Sequence, residues 1–281
     1  MKTFIKFIDG VLIALLAFTV CLSFVCKETI MQKEYVKKQL ASSEIYTSLT
    51  KEIKESILSD YRNSSVYNEV LSAYLEPLLD EAVKKKTVQK EVEAMVDDLY
   101  AGKEMSVKGT YFNEDYNDAI NSYLKKNNLN VINADMLSPF ISKAVQVAIS
   151  HVDMTKYTNR IAQQFKIIKD HIQIIFMASS VSLAVLIILS MIIVKRKIRF
   201  FGWTMLLTSL LHLLSPMLMS AYMSYAHLSF NKEYLTDFFM LMKSKVTQPV
   251  MIAGVVYVIL GFTFIYLSRK NKEPETEVNN F

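Results

Sequence analysis

The chain has 281 residues, 52% of them hydrophobic, with six glycines, two cysteines and a formal charge of +5. Apolar runs at 4–26, 172–194, 200–225 and 250–267 each approach the roughly 20 residues needed to cross about 30 Å of hydrocarbon, which excludes a single soluble domain. The excess positive charge flanks those runs while 27–171 is close to neutral, so the charge speaks for topology and not for a nucleic-acid partner.

Residues 1–26 read as transmembrane helix 1, an uncleaved signal anchor. Lys2 and Lys6 precede its apolar core, but no small-x-small cleavage pattern follows, and Ser23-Phe24-Val25-Cys26 lacks a small residue before the cysteine. Lys6 and Asp9 fall inside this run, and 10–26 is uncharged. Gly10, Ala14 and Ala17 share one helical face, on which another helix can approach closely. Cys21 and Cys26 are five apart and point away from each other on a helix, so both read as small buried hydrophobes, not as a disulfide.

Residues 27–171 read as an all-helical extracytoplasmic domain. Span one is expected to continue outward through Tyr35, Val36 and Leu40, and Ser42-Ser43 offers a cap for a helix carrying Ile45, Leu49, Ile53 and Ile57 every four residues. A second pattern runs from Val70 to Val83, interrupted by Pro77 and closed by Lys84-Lys85-Lys86, where helix-terminal basic charge is favourable. Thr87 is placed as the cap of a third helix that ends at Gly102. Loop character is confined to 102–113, where Tyr111 and Phe112 can tuck into a core, and a short helix follows around Tyr116, Ile120 and Leu124. Ser138-Pro139 then starts a long helix that runs on into span two. No alternating pattern of strand length occurs.

The remaining segments are transmembrane helix 2 at 172–194, a basic cytoplasmic loop at 195–199, transmembrane helix 3 at 200–225, an outer amphipathic loop at 226–249, transmembrane helix 4 at 250–267 and a polar cytoplasmic tail at 268–281. Gly254 and Gly261, seven apart, form a second close-packing seam. Lys195, Arg196, Lys197 and Arg199 are the topology determinants: together with Lys2, Lys6 and the basic residues after span four they place both termini in the cytoplasm of a cell membrane. The expected fold class is therefore an all-α, four-helix polytopic membrane protein with a helical extracytoplasmic domain between spans one and two.

Chemistry is sparse. His212 lies near the middle of span three, with Ser209 one turn below and Pro216 one turn above, and an ionisable group at that depth is a functional candidate by default. Pro216 cannot donate to the His212 carbonyl, so the sequence implies a kink with a free acceptor. The competing reading is a neutral histidine bonded to a neighbouring serine. His151, His171 and His227 form no second cluster, so no metal site is expected. Neither a Gly-x-Ser-x-Gly, a His-Glu-x-x-His nor a glycine-rich phosphate loop is present, so no enzyme and no cofactor are expected. Asn63-Ser64-Ser65 matches a glycosylation acceptor, a pattern common by chance.

The plan of one span, a large outer domain and three further spans with both ends inside resembles, in topology, bacterial envelope permeases that pair with a cytoplasmic ATPase. The 195–199 link leaves little room for a helix on which such an ATPase could push. The sequence favours a non-enzymatic membrane protein whose domain at 27–171 binds a protein or cell-envelope partner, as an accessory, sensor or scaffold subunit. A transporter or channel subunit and a membrane-embedded immunity factor are the alternatives. Its expected surroundings are the lipid bilayer, a protein partner and a possible second copy of itself, without nucleic acid.

Overall fold

A computed structural model of the chain describes residues 2–63, 76–77, 79–103, 109–126, 143, 146–150, 155–225 and 233–270. Among these the principal elements are all helices: α1 (Lys2–Glu28), α2 (Lys33–Ser42), α3 (Ile45–Arg62), α4 (Lys85–Tyr100), α5 (Thr110–Lys126), α6 (Thr155–Ile193), α7 (Lys197–Tyr225) and α8 (Glu233–Lys270). The stretches Phe4–Glu28, Phe165–Ile193, Lys197–Met219 and Thr236–Lys270 are long and apolar enough to cross a bilayer. The chain is thus an all-helical, multi-pass membrane protein. It divides into two compact units, Met1–Gln32 with Lys169–Lys232 and Phe239–Phe281, and Lys33–Ile168 with Glu233–Phe238.

In the first unit α1 is the hub. Its small-residue face is buried, with Ala14 at 0% and Ala17 at 8% exposure, and a methyl added to Gly10 would lie 3.2 Å from the Thr204 hydroxyl on α7. Toward α6, Ser190 bonds to Asp9 and the Phe24 and Phe176 rings lie 6.0 Å apart, so α1 and α6 are antiparallel. Toward α8, Val25 packs with Val246 and Val250, and Phe18, Cys21 and Cys26 close around them. Both cysteines are free thiols. Helices α7 and α8 meet through glycines: a methyl on Gly202 would lie 3.2 Å from the Gly261 carbonyl, and one on Gly254 would lie 3.0 Å from the His212 β-carbon. Without side chains at these positions the two backbones approach closely, which is how helices gain contact in lipid. The surface pointing away from these seams is apolar, as at Ile192 and Ile193.

The second unit has its own core. The four-residue spacing of Ile45, Leu49, Ile53 and Ile57 buries all four on one face of α3, and Leu40, Ile45 and Tyr46 pack with Val36, Val92, Val96 and Phe238. Phe112 is fully buried, as are Leu79, Ala82 and Val83 at the end of the helical segment before α4. Helix α4 ends in a closed C-terminus: Gly102 takes φ +68°, and the Lys103 amide donates to the Asp98 carbonyl at 2.9 Å.

Several boundaries differ from the sequence reading. Span one does not continue outward through Tyr35. Helix α1 stops at Glu28, where the backbone leaves the i−4 ladder: the Thr29 amide donates to the Cys26 carbonyl at 3.3 Å and the Met31 amide to the same carbonyl at 3.0 Å. Ser42 and Ser43 do not cap α3. Their hydroxyls donate backward to the carbonyls of Gln39 and Leu40, closing α2, and the cap position of α3 is Glu44 with no side-chain bond. Nor is Thr87 a cap: it is fully buried inside α4, which starts from an extended Lys84, so Lys85 and Lys86 open that helix instead of ending the previous one. The 102–113 loop is shortened by α5, which begins at Thr110.

The outer amphipathic loop at 226–249 and span four at 250–267 are not separate elements from residue 233 onward. Helix α8 runs unbroken from Glu233 to Lys270 through Pro249. A proline removes one amide donor, and here the face formed by Val246 and Val250 on either side is held against Val25. The Ser138-Pro139 start, the first part of the pattern read from Val70 to Val83 (up to residue 75), residues 226–232 and the tail from 271 lie outside the described residues.

Candidate functional site in the membrane-spanning helices

Helix α7 carries a buried polar stripe. Thr204, Thr208 and His212 recur every four residues, and each is at most 5% exposed. Each satisfies itself one turn back: Thr204 donates to Phe200 O at 3.0 Å, Thr208 to Thr204 O at 2.9 Å, and His212 Nδ1 to Thr208 O at 2.8 Å. A carbonyl oxygen only accepts, so Nδ1 bears the proton in the neutral ring and Nε2 presents a lone pair.

That lone pair has no hydrogen-bond partner among the described residues, and His212 is fully buried. The ring stands edge-on to Phe18 of α1, with centroids 5.1 Å apart, and lies 5.2 Å from the Tyr257 ring of α8. Gly254 allows this junction, because a methyl there would press on the His212 β-carbon at 3.0 Å. The histidine therefore sits where three helices meet, in an aromatic enclosure.

Of the other two candidates, Ser209 is buried but donates to the Leu206 carbonyl at 2.6 Å and not to His212. Pro216 lies inside α7, and the His212 carbonyl it leaves without an amide accepts from the Ser215 hydroxyl at 3.4 Å. The free acceptor expected there is thus occupied. Gly10, Ala14 and Ala17 line α1 toward α7, while Gly254 and Gly261 line α8 toward it. Lys195, Arg196, Lys197 and Arg199 are exposed at the α6–α7 link. Among the remaining histidines, His171 is exposed on α6, and His151 and His227 lie outside the described residues. No group of three metal-ligating side chains occurs among the described residues.

One pair escaped the sequence reading. Ser190 of α6 donates to Asp9 of α1 at 2.6 Å, and Ser190 is 1% exposed. Both residues stand out as polar groups in apolar runs, yet nothing in the linear order links positions 181 apart.

In the second unit the ionisable groups serve its own architecture. Asp97 of α4 takes Lys33 at 2.9 Å and Lys37 at 2.8 Å from α2, and these ammonium groups hold its carboxyl below the usual range. Buried Glu91 of α4 accepts the Tyr111 amide at 2.9 Å and bonds to the amides of Phe112 and Gly109, so it caps α5 from a neighbouring helix. Burial pushes its carboxyl up despite those bonds. Burial likewise raises the phenols of Tyr46 and Tyr100, keeping both neutral.

No known family matches this chain, and neither characterised proteins nor solved structures show a match to it.

Proposed function

We propose that this is a non-enzymatic membrane protein whose helical domain at 27–171 lies outside the cytoplasm and binds a protein or cell-envelope partner, with both termini cytoplasmic. What carries the reading is the use made of the charged groups in the second unit. Lys33 and Lys37 with Asp97, Lys54 with Asp80 at 2.6 Å, and Glu91 with the α5 amides all tie one helical segment to another. An acid, base and nucleophile converging on a substrate are not what these residues are arranged for, whereas a rigid helical body is what a binding module needs.

Orientation is tested by labelling Lys51→Cys with a membrane-impermeant maleimide in intact cells, since Lys51 is exposed on α3. Labelling without permeabilisation is expected, and protection until the cells are opened would reverse the topology. The partner is tested by crosslinking from the same position, followed by purification in mild detergent. Recovery of an envelope or extracytoplasmic protein is expected; recovery of a cytoplasmic ATPase would replace this reading with a force-transmitting or transport complex.

A second reading, a transporter or channel subunit, is favoured by one observation: the unpartnered His212 Nε2 enclosed among three spans. An uncompensated polar atom in a membrane interior is costly and is retained where it serves transport or gating. Gradient-driven flux in vesicles reconstituted with the protein, abolished by His212→Leu, would establish it; no flux above empty vesicles would remove it.

A further inference from the structure

We propose that the end of the first unit where α1 begins is a docking surface for the phosphodiester headgroups of anionic phospholipids. Cross-helix contacts set the register. Asp9 of α1 meets Ser190 of α6, Gly10 meets Thr204 and Phe200 of α7, and Gly202 of α7 meets Gly261 and Ile265 of α8. These residues form one layer through the four helices.

Just beyond that layer basic residues lie on α1, α7 and α8 and in the link that joins α6 to α7. Lys6 lies one turn before Asp9, Lys195, Lys197 and Arg199 fall between Ser190 and Phe200, and Arg269 and Lys270 follow Ile265. All six are exposed, and among the described residues no carboxylate forms an ion pair with them. The acidic group at this level, Asp9, is already bonded to Ser190. A ring of cations is thus assembled from segments far apart in sequence, none of them ion-paired with a carboxylate among the described residues.

The surface next to the ring selects a lipid over a free anion. Ile192 and Ile193, directly before the basic link, are 73% and 69% exposed, and Trp203, one turn past Arg199, is 58% exposed. Apolar side chains for acyl chains, an indole at the boundary and cations beyond it are the order in which an anionic phospholipid presents its own parts. Clusters of this size next to membrane helices attract acidic headgroups through additive contributions from each cation. The sequence also carries Glu273, Glu275 and Glu277 just past α8, which are the competing occupant to test.

The full-length protein would be purified from mixed micelles containing equal amounts of phosphatidylglycerol and phosphatidylcholine, and the retained lipid counted by native mass spectrometry. Enrichment of phosphatidylglycerol is expected, falling about fivefold for each cation removed in Arg269→Gln/Lys270→Gln, with the independent pair Lys195→Gln/Lys197→Gln behaving alike. Lys243→Gln/Lys245→Gln, which removes the same charge nearer the other end of α8, should leave it unchanged. Thermal midpoints in phosphatidylcholine alone check that each variant is folded, and a conclusion is drawn from the pair that passes. Equal retention of the two lipids, or an equal loss in the Lys243/Lys245 control, overturns the proposal. Displacement by inorganic phosphate, but not by chloride at the same ionic strength, would make this a free-anion site and overturn it. Enrichment seen only after Glu273→Gln/Glu275→Gln/Glu277→Gln would assign the ring to the chain's own tail, again overturning it.

Discussion

Ser190 donates to the carboxylate of Asp9 at 2.6 Å, joining the first and second membrane-spanning helices by a bond between side chains. Charge-assisted hydrogen bonds are shorter and stronger than neutral ones, and an acceptor in lipid has few substitutes for a lost donor. Ser190→Ala is therefore expected to lower stability by about 1–2 kcal/mol, and Asp9→Asn by less, since an amide still accepts. The double-mutant cycle, read by thermal unfolding in detergent, should show coupling. Strictly additive effects would mean the two groups act independently.

Gly261 is the tightest point of the α7–α8 seam. A methyl there would lie 2.8 Å from Leu206 Cδ2 and 3.1 Å from the Gly202 carbonyl oxygen, and the second of these is backbone. Gly261→Ala should cost about 1–3 kcal/mol through overpacking, and Gly261→Leu should separate the helices. Crosslinking between cysteines placed on α7 and α8 would report this, and an unchanged Gly261→Leu yield would contradict the seam.

Gly102 combines φ +68° with a β-carbon position 2.6 Å from Lys166 Cδ. The lysine side chain can move away, but the backbone conformation cannot accept a β-carbon without strain of about 1–2 kcal/mol. Gly102→Ala should therefore accelerate amide exchange at the end of α4, while Lys166→Ala alone should not. Equal protection in Gly102→Ala and the parent protein would refute the strain.

Two carboxylates give the second unit opposite responses to pH. Lys37 and Lys33 depress the folded-state pKa of Asp97, so its contribution is present above the ordinary carboxyl range and is lost as pH falls through the depressed value. The pairs are partly exposed, which limits the effect of Lys37→Gln to about 0.2–1 kcal/mol. Burial raises the folded-state pKa of Glu91, so its contribution is complete below the ordinary range and is lost as pH rises through the raised value. Glu91→Gln keeps an acceptor for the α5 amides without a buried charge. It should flatten the pH dependence and be at least as stable as the parent at neutral pH, whereas Glu91→Ala should destabilise by about 1–3 kcal/mol. Unfolding followed from about pH 2 to pH 8 distinguishes these outcomes, since the Asp97 window lies below the ordinary carboxyl range, and a steeper profile for Glu91→Gln would reverse the sign argued here.

The sequence alone determined the membrane spans, the helical class and the core face of α3, because each depends on residues close together in the chain. Twenty apolar residues must lie in hydrocarbon whatever else the protein does, and Ile45, Leu49, Ile53 and Ile57 share a face by helical geometry alone. Caps were less legible: Ser42, Ser43 and Thr87 all carry hydroxyls suited to a helix start, yet the two serines bond backward to nearby carbonyls and Thr87 lies within a helix. The boundary expected between 249 and 250 is absent: α8 continues through Pro249, with Val246 and Val250 on either side held by a helix more than two hundred residues away in sequence. His212 could be found by depth alone, but its setting could not. Phe18, Tyr257 and Gly254 reach it from two other helices, as Ser190 reaches Asp9, and tertiary packing alone brings such residues together because no local spacing rule relates them.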